Sequence, residues 1–309
     1  MIRIRTMTIA DLPLGLRLKN QTGWNQTEAD WLRFLALEPQ GCFVAELDGV
    51  SVGTLTTCLL GGVAWIAMVL VDVKARRKGV GSNLLRYALD YLDDRKVGTI
   101  RLDATPAGRA VYEKWGFIPE YNVARYEGIA PRGCDGTSVK EVRSDEFDSI
   151  DATAKSPKNV AKTAPTLQNR GVKKLLTLAS IVEFDERLTG TDRGKMLNRL
   201  FQEHHHNFRL ISSGGELEGY ITLRPGSNAF QIGPCVAVSA AGSALFSYAW
   251  SRCAGEPIFI DIPVDNTAAV KLAESGGLKV QRLFTRMYRG EKVHDSLRSI
   301  WASSGPEKG

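Results

Sequence analysis

Three adjacent cations followed by two glycines one residue apart, in the run Arg76-Arg77-Lys78-Gly79-Val80-Gly81-Ser82, are the strongest chemical signal in the chain. Glycines in such a run let the backbone approach a ligand closely and leave several N–H groups pointing into one concavity. An almost unbroken apolar stretch, 64–73, precedes it, and Leu84, Leu85, Ala88, Leu89 and Leu92 follow at helical spacing. The start of that helix adds N–H donors without helical partners and the positive end of the helix dipole. Strand, basic glycine loop and helix in this order form a cradle for a pyrophosphate. A bare Gly-x-Gly also occurs in turns that bind nothing, so the strand-loop-helix context carries the reading. Elsewhere, His204-His205-His206 invites a metal reading. Consecutive residues do not bring three imidazoles to one ion, and no Cys or acidic partner stands at ligand spacing, so no metal is assigned.

The elements that must hold this loop follow from periodicity and turn chemistry. Residues 2–6 alternate apolar and polar, a strand signal. Asp11 is placed to cap a helix with Pro13 in its first turn, and Thr27 to cap a second that ends near Leu37, before Pro39. Residues 43–47 and 50–60 read as strands turned at Asp48-Gly49, and 64–73 as a strand buried on both faces. A strand over 99–103, a helix over 108–115 and a strand from Phe117 complete the first half. Strands with helices threaded between them predict an α/β (α+β) layer architecture.

At 309 residues the chain is long enough for two domains, and 43% hydrophobic with 24% charged residues is globular composition. A net charge of +6 without clustering predicts no nucleic-acid partner. Five cysteines, widely spaced and without a CxxC pair, predict free thiols and a reducing cytoplasm rather than a disulfide framework. Residues 49–71 carry no charge and are long enough to span a bilayer, but the Gly61-Gly62 pair and the threonines predict a hairpin instead. No membrane association and no secretion signal are expected.

The turn-rich segment 129–138 reads as a linker, and a fainter copy of the first half follows it. Gly53 and Gly219 correspond at an offset of 166, Gly116 and Gly277 at 161, and Arg125 and Arg286 at 161. Residues 151–174 have no counterpart in the first half and read as a solvated insertion.

Residues 71–85, centred on Arg76-x-x-Gly79-x-Gly81, resemble the central motif of the GNAT superfamily of acyl-CoA-dependent N-acetyltransferases. A second motif of that family is matched over 105–117 by Val111-Tyr112 and Gly116-Phe117, with Thr105 in place of Asn and Gly108 in place of Ala. The resemblance implies two tandem domains, each a mixed twisted sheet flanked by helices: a catalytic domain at 1–128 and, after the linker, a degenerate one at 139–309. It implies acetyl-CoA as cosubstrate, held by Val69, Leu70 and Val71 of the splayed fourth strand and by residues 76–82. It implies that Tyr112 protonates the departing thiolate, against the plainer role of a ring packed on a helix. A primary amine of a small molecule is the expected acceptor, with a protein N-terminus or lysine weighed beside it. Gly23-Trp24-Asn25-Gln26-Thr27 and 102–108 resemble a tandem subgroup, and Trp24, Asn25, Glu28 and Asp103 are the acceptor-side candidates. Many relatives carry a strand glutamate as base, whereas 65–71 holds no carboxylate, which keeps a non-catalytic acyl-CoA sensor in view. In the copy, Asn266, Ala269, Leu272 and Gly277 survive, but Ala273 replaces the tyrosine and the loop near Gly242 lacks the arginine and the paired glycines. That half is expected to be non-catalytic and to close the acceptor cleft; Arg224-Pro-Gly226, Asp261-Ile-Pro263 and Arg286-Met-Tyr288 are candidates for its lining, with packing and turn roles the favoured reading of each.

Overall fold

The computed structural model describes residues 1–133, 139–141, 176–238 and 240–307. Residues 134–138, the second half of the expected linker with Cys134, and the segment 151–174 lie outside the described residues. The first half runs β1 (Ile2–Thr6), α1 (Leu12–Thr22), α2 (Glu28–Leu37), β2 (Cys42–Leu47), β3 (Val50–Leu60), β4 (Val63–Val71), α3 (Val80–Asp94), β5 (Thr99–Ala104), α4 (Pro106–Glu113) and β6 (Ile118–Ile129). The second runs β7 (Lys140–Glu141), α5 (Leu178–Thr189), α6 (Gly194–His204), β8 (Arg209–Ser213), β9 (Glu216–Arg224), β10 (Phe230–Ala237), α7 (Ala241–Arg252), β11 (Pro257–Pro263), α8 (Thr267–Ser275), β12 (Lys279–Gly290) and β13 (Ile300–Ala302).

The uncharged stretch at 49–71 is the hairpin β3–β4, turned at Gly61-Gly62. No helix among the described residues is long and apolar enough to cross a membrane. Cys42, Cys58, Cys235 and Cys253 are free and buried. Helix α4 begins two residues before the expected start. Thr105 accepts the Gly108 N–H at 3.2 Å and Pro106 takes the first helical position, where its missing donor costs nothing.

The duplication is real in three dimensions. Gly53 on β3 and Gly219 on β9 occupy equivalent places beneath a helix. A Cβ at Gly53 would stand 3.1 Å from Leu84 of α3, and one at Gly219 3.0 Å from Leu245 of α7. Gly116 and Gly277 end α4 and α8 with φ of 82° and 81°. Asn266 caps α8 by accepting the Ala269 N–H at 3.1 Å, as Thr105 caps α4.

The mixed sheet and flanking helices are those of the expected architecture, but the two halves do not keep separate sheets. One 13-stranded sheet runs β1-β2-β3-β4-β5-β12-β6-β11-β10-β9-β8-β7, with β13 paired to β10. Strand β12 of the second half lies between β5 and β6 of the first, and β6 in turn pairs with β11. Each half has lent its last long strand to the other.

Two buried ion pairs fix this exchange. Arg286 on β12 stands directly across from Asp103 on β5 and donates from Nε and Nη2, both at 2.9 Å. Arg125 on β6 stands directly across from Asp261 on β11 and donates from Nε and Nη2, both at 2.8 Å. Bidentate pairing to carboxylate is the geometry that a planar guanidinium favours. Burial alone would lower the Arg125 pKa, but the Asp261 charge reverses that and holds it above its ordinary value.

Helices α1 and α2 of the first half and α5 and α6 of the second pack into one shared core, with Trp31, Phe34, Leu197 and Leu200 almost fully buried. Arg33 of α2 crosses that interface, donating to Glu203 and to Asp30.

Removing one partner of a buried pair leaves an uncompensated charge, at a cost of about 3–5 kcal/mol. Asp261→Ala is therefore expected to lower unfolding stability by about that amount, and the double variant Arg125→Met/Asp261→Leu to recover most of the loss. Urea unfolding followed by circular dichroism reads both; equal stability of the single variant and the parent would show that the pair does not hold the exchanged strands.

Candidate active site

Strand β4 is locally irregular. Between the pairs Thr56↔Ala67 and Thr54↔Leu70 it carries one residue more than β3, and Met68 takes a left-handed φ of 50°. A non-glycine residue there is strained and persists only when its surroundings impose it. The Thr54 hydroxyl donates to the Met68 carbonyl at 2.9 Å and helps pin the bulge. On the other side, β4 pairs in parallel with β5 only over Val63–Trp65, against Thr99–Arg101. Beyond Trp65 the two strands part, and residues 66–71 keep no strand partner on that edge among the described residues. The opening is a cleft of about 610 Å³, part of it open solvent, with Ile66, Ala67, Met68 and Val69 on one wall and Leu102, Asp103 and Thr105 on the other.

The basic loop leaves β4 at the far end of this opening. Asp72 accepts the Lys74 N–H at 2.9 Å and caps a short helical turn, and Arg76 Nε donates to the Val71 carbonyl at 3.2 Å. Gly79 precedes α3 with φ 82°, a conformation that glycine adopts without strain. Val80 packs into the core beneath α3, so its contribution at the loop is its backbone N–H. A Cβ at Gly81 would meet only Val71 Cγ2 at 3.7 Å, an ordinary contact, which leaves the helix mouth open. Arg76, Arg77, Lys78 and Ser82 are exposed around it. Val69 faces the cleft, while Leu70 is buried and Val71 half-buried further along the same strand. This edge and cradle fit a molecule that has both an amide-bearing arm and a pyrophosphate.

Tyr112, on the last turn of α4, lines the cleft and meets Phe117 edge-on at 5.9 Å between ring centroids. Burial pushes its hydroxyl up to about 12. Gly108 has a local reason here: a Cβ would stand 3.1 Å from the Tyr112 ring, so glycine gives that ring room.

The acceptor-side candidates divide. Trp24 and Asp103 line the cleft. Asn25 does not, because its amide holds the 228–229 backbone. Its oxygen accepts from the N–H groups of Asn228 at 2.9 Å and Ala229 at 3.1 Å, and its Nδ2 donates to the Ala229 carbonyl at 3.1 Å. Glu28 is exposed in the first turn of α2 and takes no part in the lining. Arg224, Asp261 and Arg286 stand one layer behind the wall, each paired to a charged residue that does line it.

Residues not anticipated from sequence complete the site. Gln26, Arg125, Arg282, Phe284, Pro306 and Glu307 all line the cleft. Glu307 accepts from Arg224 Nη2 at 2.7 Å and from Gln26 Nε2 at 2.9 Å, and Trp65 Nε1 donates to the Pro306 carbonyl at 3.2 Å. Segment 303–307 and β12 thus carry second-half residues into the wall opposite β4. Arg125 had a sequence signal, its match to Arg286 at a fixed offset. Arg282 and Glu307 had none, because tertiary register alone brings them here. His204 ends α6 away from the cleft, where burial and the Arg33 charge push its imidazole down to about 4.

Comparison with known proteins agrees with this geometry. An acetyltransferase (GNAT) family model matches residues 13–117, a span that holds the bulge, the loop and Tyr112. An acetyltransferase (GNAT) domain model matches residues 181–302, which include β12. Holothin acyltransferase from Pseudoalteromonas sp. (strain SANK 73390) is 25% identical over 93% of this chain and 87% of its own. A Pyrococcus horikoshii protein assigned to the acetyltransferases superposes with a TM-score of 0.77 at 24% identity, over 100% of this chain and 96% of that one. A tandem GNAT protein from the clavulanic acid biosynthesis pathway superposes with a TM-score of 0.58 at 13% identity, over 96% of this chain and 100% of that one. With one match in each half, the chain belongs to the GNAT acetyltransferases, as a member with two such domains in tandem.

Proposed function

We propose that the protein transfers an acetyl group from acetyl-CoA to a primary amine of a small molecule, by direct attack while both are bound. In this reading residues 1–128 carry the chemistry, residues 129–138 link the halves, and residues 139–309 complete the acceptor cleft without a reaction of their own. The observation that carries it is the parting of β4 from β5, with the basic helix mouth at one end of the opening and Tyr112 on its wall. The four cysteines among the described residues are free and buried, which suits a reducing compartment, and we place the protein in the cytoplasm.

Acetyl-CoA supplies the acyl group as a thioester. The N–H groups at the start of α3, with Arg76, Arg77 and Lys78 at the rim and Ser82 in the first turn, hold the pyrophosphate. The free edge of β4 over Val69, Leu70 and Val71 pairs with the amides of the pantetheine arm. A backbone N–H on that edge donates to the carbonyl oxygen as negative charge develops there. The N–C bond forms as the C–S bond breaks, and Tyr112 gives its proton to the departing sulfur. The proton of the attacking amine leaves to solvent through the mouth of the cleft. Asp103 and Glu307 act as fixed wall charges, since Asp103 accepts from Arg286 at both oxygens and Glu307 is tied to Arg224 and Gln26.

Among the described residues no uncommitted carboxylate stands beside β4, which favours a non-catalytic acyl-CoA sensor instead, and Tyr112 separates the two. Tyr112→Phe is expected to lower kcat by about 100-fold or more with little change in acetyl-CoA affinity. Because burial raises the Tyr112 hydroxyl to about 12, the acid stays protonated as pH rises, and its form active in donation is lost only near that value. Wild-type turnover is therefore expected to climb with pH as the acceptor deprotonates and to hold to at least pH 10. Unchanged turnover in the phenylalanine variant would remove Tyr112 as the acid; binding of acetyl-CoA without transfer to any amine would favour the sensor.

The cradle has its own test. Gly81→Glu meets no backbone obstacle at Cβ, so its thermal midpoint is expected to stay within a few degrees of the parent. The added carboxylate stands at the helix mouth, and acetyl-CoA affinity by calorimetry is expected to fall at least tenfold. Parent-like affinity would place the pyrophosphate elsewhere.

A further inference from the structure

Among the described residues four charged ones line the cleft: Asp103, Arg125, Arg282 and Glu307. Three are neutralised from behind, Asp103 by Arg286, Arg125 by Asp261 and Glu307 by Arg224. Arg282 is half-buried and has no ion pair or hydrogen bond among the described residues, so the cleft carries one uncompensated positive charge.

Strand register shows that this charge is placed by the backbone. On β12 the pairing steps from Val280↔Tyr126 to Arg282↔Arg125, so Gln281 is an extra residue. In an unbroken ladder Gln281 would face Arg125 and Arg282 would turn to the opposite side. The bulge sends Gln281 outward, where its Nε2 donates to Glu127 at 2.6 Å, and turns Arg282 to the cleft face with Phe284. Arg282 then stands across from Arg125, whose charge Asp261 neutralises, so that among the described residues Arg282 alone is left without a counter-charge on this wall. A bound anion would supply it.

The phosphates of acetyl-CoA are poorly placed to be that anion. Their proposed cradle lies beyond the end of β4 and has its own three cations. Arg282 lies on the other side of the opening, on a strand from the second half, past the last β5–β12 pair at Ala104↔Thr285.

We propose that the acceptor is an amine that also carries an anionic group, a carboxylate or a phosphate, and that Arg282 binds this group and so selects the substrate. The inference rests on the acetyl-transfer reading above and deepens it by naming the substrate class. It also gives the second half a direct part in specificity.

The experiment measures thiol release from acetyl-CoA by the full-length protein with matched amines: amino acids against their amides, and phosphoethanolamine against ethanolamine. The anionic member of at least one pair is expected to be favoured at least tenfold in kcat/KM, and the favoured pair distinguishes carboxylate from phosphate. Arg282→Gln is expected to raise KM for the anionic acceptor at least tenfold, leave its neutral partner unchanged, and leave acetyl-CoA affinity by calorimetry unchanged; Arg282→Lys should restore part of the preference. Equal use of anionic and neutral amines by the parent, or a preference that survives Arg282→Gln, would overturn the inference while leaving acetyl transfer intact. Failure of the parent to bind acetyl-CoA would overturn the acetyl-transfer reading, and this inference with it.

Discussion

Two crossed ion pairs, Arg286 with Asp103 and Arg125 with Asp261, hold the molecule in register. Each joins a strand of one half to a strand of the other at directly opposed positions, and each is buried. A one-residue slip of either exchanged strand would turn its arginine to the wrong face and leave an aspartate without its cation. The pairs therefore specify one alignment of the joined sheet, whatever their net contribution to stability. A shared helical core under α1, α2, α5 and α6 supplies the apolar burial that the ion pairs themselves do not.

From that alignment the site follows. Strand β5 is held by β12 on its outer edge, so it is free to part from β4 after three paired residues. The bulge at Met68 turns the β4 edge at the place where the gap widens. The two sides of the gap then differ in origin: β4 and its loop belong to the first half alone, while the opposite wall joins Leu102, Asp103 and Thr105 of the first half to Arg282, Phe284, Pro306 and Glu307 of the second. The second half, which has Ala273 where the first has Tyr112 and no paired glycines near Gly242, lines the same cleft.

What could be read from sequence was local. The glycine loop, the Gly61-Gly62 hairpin and the cap at Thr27 depend on neighbours within a few residues, and they lie where the pattern puts them, whereas Asp11 makes no cap bond to α1: its carboxylate accepts the Thr8 N–H at 2.9 Å and pairs with Arg5. The helix carrying Tyr112 starts two residues before the expected Gly108, because Thr105 supplies a cap and Pro106 a first helical position ahead of it. The exchange of β6 and β12 leaves no local mark, since both read as ordinary strands and differ only in which neighbour they choose. Arg282 is the sharpest case, because an extra residue at Gln281 reverses the face that simple alternation would give it. Asn25 is the opposite case: a polar residue in a promising motif whose amide bonds the 228–229 backbone rather than facing the cleft.

The exchanged strand also sets a clock on synthesis. Asp103 and Arg286 are 183 residues apart in the chain. At about 5–20 residues per second, a ribosome needs roughly 10–40 s to pass from one to the other. Throughout that interval β5 and β6 stand exposed with a strand-wide gap between them, the kind of open edge that recruits foreign strands. The nascent first half must last through that interval without β12, and it shares with its unfinished twin a window for mispairing.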